Sequence, residues 1–167
     1  MTVPNDIRSA IRDRFTNTAV APAKVKKFPL GPDSAKTLGY DADEIDGLPS
    51  SVTESFCGVG NPLRLGELQT GQTVLDLGSG AGLDSILAAH RVGPTGKVIG
   101  VDMTEAMIKK ARSNAAAVGL SNVQFIHTEI DNIPLDDESV DVTITNGVFN
   151  LCTDKPKVLA EVFRVLH

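Results

Sequence analysis

One stretch constrains this chain more than any other: TVLDLGSGAGLDSILAAH, residues 73 to 90. An apolar run with strand character carries a carboxylate, Asp76, and ends on glycines at alternate positions, Gly78, Gly80 and Gly82. A helical pattern begins at once, with Leu83, Ile86, Leu87 and His90 on one face. Glycines at such a junction let the backbone turn tightly and approach a neighbour with no Cβ in the way.

The alternation then repeats. Strands are expected at 73–77, 97–101, 122–126 and 140–145. Between them, 105–118 places Met107, Ile108, Ala111, Ala115 and Val118 on one helical face, with Thr104 as N-cap and Gly119 as stop. Asp154 caps a last helix with Val158, Leu159, Val162, Phe163 and Leu166 inward. Short strands alternating with helices of this length give an α/β fold: a Rossmann-like parallel sheet with helices on both faces.

Residues 1–70 read as a lead-in to a domain over 71–167. Residues 4–15 have helical spacing, 16–40 carry three prolines and read as loop, and 41–46 suit one helical turn. Asn61 before Pro62 is an N-cap signal for a short helix to about Leu68. A net charge of −5 speaks against a nucleic-acid partner, and Lys24, Lys26 and Lys27 read as a solvated loop. No apolar run reaches the roughly 20 residues of a membrane span, and the N-terminus has no secretory pattern. Two cysteines, Cys57 and Cys152, are too few for a disulfide scaffold and suit a reducing cytosol; zinc spacing is absent, so no metal is expected.

In open sheets of this kind ligands sit at the carboxyl ends of the strands. The second strand ends in Asp102, 24 residues beyond Gly78, where a carboxylate can accept both hydroxyls of a ribose. The third is followed by Glu129, Ile130 and Asp131, where an adenine edge could be read. Counted from Gly78 the glycine pattern is G-x-G-x-G, which tilts away from nicotinamide and flavin cofactors. His90 reads as packed, His127 lies near the expected adenine site, and Asp84 suits the first turn of a helix.

VLDLGSGAG, VIGVDMT and EIDNIPLDDESVDVTITN resemble motifs of the class I S-adenosylmethionine-dependent methyltransferases. The resemblance implies S-adenosyl-L-methionine as cofactor and a small-molecule acceptor. It implies that Asp76, Gly78, Ser79, Gly80 and Gly82 frame the methionine end of the cofactor. Asp102, with Met103 beside it, would hold the ribose, Glu129 and Ile130 would flank the adenine, and Asn146 and Gly147 would lie near the sulfonium. LGY at 38–40, LPSSVTESFCGVGNP, GSGAGLD, RVGPTGKVIGVDMT and NGVFNLCTDKPKVLAEVFRVL are in addition similar to arsenite methyltransferases. That group usually has S-x-G-C-G-N-P and S-N-C-V-I-N-L, so Val59 and Gly147 stand here in the places of its cysteines. Arsenic(III) is soft and needs thiolates, which valine and glycine do not offer. Cys57, Asn61, Gly147 and Cys152 are the substrate-site candidates, with small buried hydrophobes as the alternative for both cysteines.

The fold of this class has seven strands in the order 3-2-1-4-5-7-6, as the resemblance implies, and this sequence supplies four. A C-terminal truncation is therefore expected, with the fourth strand an open edge through which copies could associate. Three functions follow: methyl transfer to an unidentified small acceptor, arsenite methylation, or a non-catalytic module that binds a nucleoside or a partner chain. A nicotinamide-dependent oxidoreductase is a further rival.

Overall fold

The computed structural model describes residues 4–25 and 29–167. Lys26 and Lys27 of the basic run fall outside the described residues. The first helix, α1, spans Pro4–Val20. It overruns the expected end at Phe15 because tertiary contacts hold its last turn. Thr18 Oγ1 donates to the Arg14 carbonyl at 3.0 Å, the Thr18 carbonyl accepts from Ser55 Oγ at 3.0 Å, and Ala19 packs against Ala81 and Met107. The expected loop over 16–40 also holds a second helix, α2 (Pro32–Thr37), started by proline in its first turn.

Two short helices follow, α3 (Ala42–Asp46) and α4 (Ser50–Thr53). Asp41 caps α3 through the Glu44 amide at 3.0 Å. Asn61 caps as expected, accepting from the Leu63 amide at 3.1 Å, but the helix stops as a single 3₁₀ turn, Pro62–Arg64. Leu65, which is 90 % exposed, and Gly66 follow it, and the helix does not continue.

The strands are β1 (Thr73–Leu77), β2 (Lys97–Asp102), β3 (Val123–His127) and β4 (Val142–Thr145). All pairings are parallel and the order is β3-β2-β1-β4. Helices α5 (Leu83–Val92) and α6 (Glu105–Ala117) cross from β1 to β2 and from β2 to β3, and α7 (Lys155–Val165) follows β4. The pleat sends alternate residues of β1 to opposite layers. Val74 packs with Ala88, Ala89 and Val92 of α5, and Leu75 and Leu77 pack with Val165 of α7. Beyond α7 the chain returns to the outer side of β4: Leu166 bridges to Val140, and the His167 amide donates to the Val140 carbonyl at 3.1 Å.

Two expected faces are wrong. Leu159 and Phe163 of α7 are 55 % and 84 % exposed, because only Val158 and Val165 meet the sheet layer fully. His90 is exposed rather than packed, while α5 is buried almost all round. That burial comes from the N-terminal segment: Ala35, Tyr40, Ile45, Val52 and Phe56 form one core with Leu83, Ile86 and Leu87. The lead-in therefore shares its apolar core with the sheet layer.

Candidate functional site

The turn after β1 folds over the end of β2, where the Gly78 and Ser79 amides both donate to the Val101 carbonyl, at 2.8 and 3.0 Å. Its glycines are all left-handed, with φ of 70°, 52° and 93° at Gly78, Gly80 and Gly82. Their surroundings differ. A Cβ on Gly82 would meet the Phe125 ring at 2.9 Å, so this glycine lets α5 close onto α6 and β3. A Cβ on Gly78 would stand 2.0 Å from Val148 Cγ2. Only the Gly80 position faces open space, with nothing within 4 Å. Of the three, Gly80 leaves open space, while Val148 lies against Gly78 and Phe125 against Gly82.

That open space is a cleft of about 880 Å³, part of it open to solvent, across the carboxyl ends of the strands. Gly78, Gly80, Asp102 and Met103 line it from β1 and β2, Glu129, Ile130 and Asp131 from beyond β3, and Asn146, Gly147 and Val148 from beyond β4. The turn leading into α7 adds Leu151 and Cys152. Both oxygens of Asp102 are held: Oδ2 accepts from the Gly80 amide at 3.0 Å and Oδ1 from the Thr104 amide at 2.8 Å. Burial pushes its pKa up, against the pull of those two amides.

Asp76, Ser79 and Gly82, expected around the same ligand, are not among the residues that line the cleft. Asp76 lies buried beneath the turn and accepts from Ser85 Oγ at 2.6 Å. Burial and the neighbouring Asp84 raise its pKa to about 8. Among the described residues, the Ser79 hydroxyl oxygen is buried beside the turn without a hydrogen-bond partner.

A further wall could not be read from the sequence. Arg8, Ile11 and Phe15 of α1 line the cleft. Arg8 reaches Asp131 at 3.1 Å and Glu129 at 3.7 Å, and Arg12 reaches Glu129 at 3.2 Å. Burial works against the Asp131 carboxylate, yet Arg8 and Lys157 outweigh it and hold its pKa below the ordinary value. The spacing of arginines on α1 gives no hint of partners more than 100 residues away.

Of the substrate-site candidates, Cys57, Gly147 and Cys152 line the cleft and Asn61 does not. The Asn61 amide nitrogen instead donates to the Gly39 carbonyl at 3.1 Å, and its oxygen caps the 3₁₀ turn. Both cysteines are free and half-buried. Burial and the Asp102 charge push the Cys57 thiol up to about 11; burial also raises Cys152. Val59 and Gly147 are neighbours: a Cβ on Gly147 would lie 3.6 Å from Val59 Cγ1. Tyr40 of the LGY motif donates to Asp84 Oδ1, and Asn146 Nδ2 donates towards the Tyr40 hydroxyl and Asp84 Oδ2. His127 Nε2 stands 2.9 Å from the Met103 carbonyl on the exposed end of β3.

A parallel sheet in this order, a bare turn after its first strand and a carboxylate at the end of its second define a class I S-adenosylmethionine-dependent methyltransferase fold. The chain belongs to the methyltransferase domain family, which residues 68–167 match. It is 48 % identical over 133 residues to the arsenite methyltransferase of Halobacterium salinarum, covering 80 % of this chain and 34 % of that one. An arsenic(III) S-adenosylmethionine methyltransferase from Chlamydomonas reinhardtii has a similar structure, with 38 % identity, a TM-score of 0.62, and coverage of 83 % of this chain and 46 % of the other. A SAM-dependent methyltransferase from Aquifex aeolicus is similar at 28 % identity and a TM-score of 0.60, over 83 % and 68 % of the two chains. The chain thus spans between a third and a half of the Halobacterium and Chlamydomonas proteins.

The cofactor of this class is S-adenosylmethionine, and the residues present fit it. The left-handed Gly80 leaves a space that any side chain would invade, and Asp102, Met103 and Ile130 put a carboxylate and apolar surface around that space.

Proposed function

We propose that this chain binds S-adenosylmethionine in the cleft and that the cleft supports methyl transfer to a small acceptor. The observation that carries this reading is that Gly80, Asp102, Glu129 and Ile130, from three successive strand ends, face one cleft. Asp102 would take the ribose hydroxyls, Met103, Glu129 and Ile130 would enclose the base, and the turn 78–82 would receive the amino-acid end. Asp76 supports that turn from below through Ser85 of α5. When bound, the cofactor supplies a methyl group on a sulfonium. The chain's own part is to orient the two reactants and keep water out, with Ile11 and Phe15 of α1 as the cover. Residues 71–167 would form the donor-binding unit and the preceding segment its lid and acceptor side.

A thermal melt with and without S-adenosylmethionine or S-adenosylhomocysteine tests this. At about 100 times Kd a ligand of the folded state stabilises it by about 2.7 kcal/mol, a visible shift. A cooperative melt that neither compound moves rejects donor binding. A shift without methyl transfer to any acceptor supports a non-catalytic nucleoside-binding module instead.

One observation favours arsenite as the acceptor: Cys57 and Cys152 line the same cleft although Val59 and Gly147 carry no sulfur. Thiolates suit a soft metalloid. This reading expects Cys57→Ser and Cys152→Ser each to abolish arsenite binding by the intact chain, and it is excluded if both variants bind as the parent does.

A further inference from the structure

The stretch Phe56–Asn61, FCGVGN, has no part in the donor reading, yet it is wrapped around a single side chain. Asn146 lies just beyond β4. Its Oδ1 accepts from the Val59 amide at 2.9 Å and from the Gly60 amide at 3.2 Å. Its Nδ2 stands 2.8 Å from the Gly60 carbonyl, 3.0 Å from the Tyr40 hydroxyl and 3.1 Å from Asp84 Oδ2. Gly58 makes the approach feasible: a Cβ there would lie 2.3 Å from Asn146 Nδ2 and 2.6 Å from the Phe56 ring. The anchors are themselves fixed. Tyr40 donates to Asp84 Oδ1, and its ring meets Phe56 edge-on at 5.2 Å. Asp84 belongs to the first turn of α5, directly after the glycine turn.

We propose that Asn146 is a positioning residue that sets the 57–60 loop against the cleft, and through it the place of Cys57 and of the Val59–Gly147 contact. A primary amide is the side chain for this task, because it accepts through one atom and donates through the other. Aspartate could accept from the two loop amides but would set a second carboxylate beside Asp84; leucine could do neither. With its amide engaged on protein, Asn146 frames the acceptor side rather than holding the donor. This assignment refines the acceptor side of the proposed methyl-transfer site. Its test reads a thiol and two amides with no donor or acceptor present, so it fails or survives separately from that reading.

Cysteines occur only at 57 and 152, so a Cys152→Ser background leaves Cys57 as the sole thiol. Its modification by N-ethylmaleimide is followed at neutral pH. In that background the rate should lie well below that of an exposed thiol, because burial pushes the Cys57 thiol up. Adding Asn146→Ala should free the loop and raise the rate roughly tenfold or more. Adding Tyr40→Phe should give a smaller rise in the same direction. An unchanged rate in Asn146→Ala overturns the assignment. So does a rise that grows steeply with urea well below the unfolding transition, since that reports global opening and not loop release. Should Asn146→Ala not fold, hydrogen exchange of the parent chain decides: protected Val59 and Gly60 amides support the clamp, and exchange at open-loop rates removes it.

Discussion

The Gly80 amide donates to Asp102 Oδ2 at 3.0 Å, tying the turn after the first strand to the carboxylate that ends the second. The open face of the turn and the carboxylate beside it are therefore placed as one unit, with the Thr104 amide holding the other oxygen.

Asp102→Ala should lose donor affinity through both effects, the missing carboxylate and the loosened turn. A hydrogen bond to a charged group is worth about 1.5–3 kcal/mol, so the loss should be roughly 10- to 100-fold. Calorimetric titration with S-adenosylhomocysteine checks it; an affinity equal to the parent's excludes Asp102 from the site.

The glycines of the turn should separate in a mutational comparison. Gly80→Ala forces a side chain into a left-handed position, at about 1–2 kcal/mol, and fills the cleft, so donor affinity should fall further than stability does. Gly78→Ala adds a collision with Val148 at 2.0 Å and should be the less stable of the two. Combining it with Val148→Ala should restore part of the lost melting temperature, since the collision partner is then gone.

Stability should fall as pH rises from about 5 to about 8. The Asp76 pKa of about 8 lies above the ordinary unfolded value near 4. Between those values the folded chain holds a proton that the unfolded chain has released, so raising pH favours unfolding. Asp84 and Asp102, also raised chiefly by burial, act in the same direction. Glu161 acts oppositely: the Arg164 hydrogen bond lowers it to about 2, so its contribution is complete above the ordinary glutamate range and is lost only in acid. Urea unfolding across this pH range tests the slope, and Asp76→Asn should flatten it.

The α1 ion pairs should act on ligand release more than on stability. Arg8 and Arg12 pair with Glu129 and Asp131 at partly exposed positions, and such pairs contribute about 0–1 kcal/mol each. Replacing both arginines by alanine should change the melt little while speeding donor dissociation several-fold and removing its salt dependence. Stopped-flow release of S-adenosylhomocysteine reads both effects.

The sheet and its turn were legible in the sequence because their signals are local. Short apolar runs, glycines at a strand end and a helix start all act within a few residues, and the four strands fall within two residues of their expected places. Asp102 was legible for the same reason. Phe163 and His90 were misread because helical spacing defines a face without saying what covers it. Only the packing shows that Phe163 looks outward and that α5 is covered by the Ala35–Phe56 segment. The contact between Gly78 and Val148 was not legible, because a bare position looks the same in sequence whatever packs against it. The amide of Asn146 and the arginines of α1 act on loops far along the chain, and no spacing rule reaches across that distance.

The pairing of α1 with the far side of the cleft also bears on how the chain assembles. Arg8 and Arg12 meet partners 117 to 145 residues later in the sequence. On a ribosome α1 is made before its partners, and Arg8 and Arg12 wait until Glu129 and Asp131 beyond β3 and the turn into α7 have emerged. Closing so long a loop is slow, and apolar surface left open meanwhile invites aggregation. The cleft should thus mature only after the strands and turns that line it, and a ligand that fills it would act as a folding aid as well as a reactant.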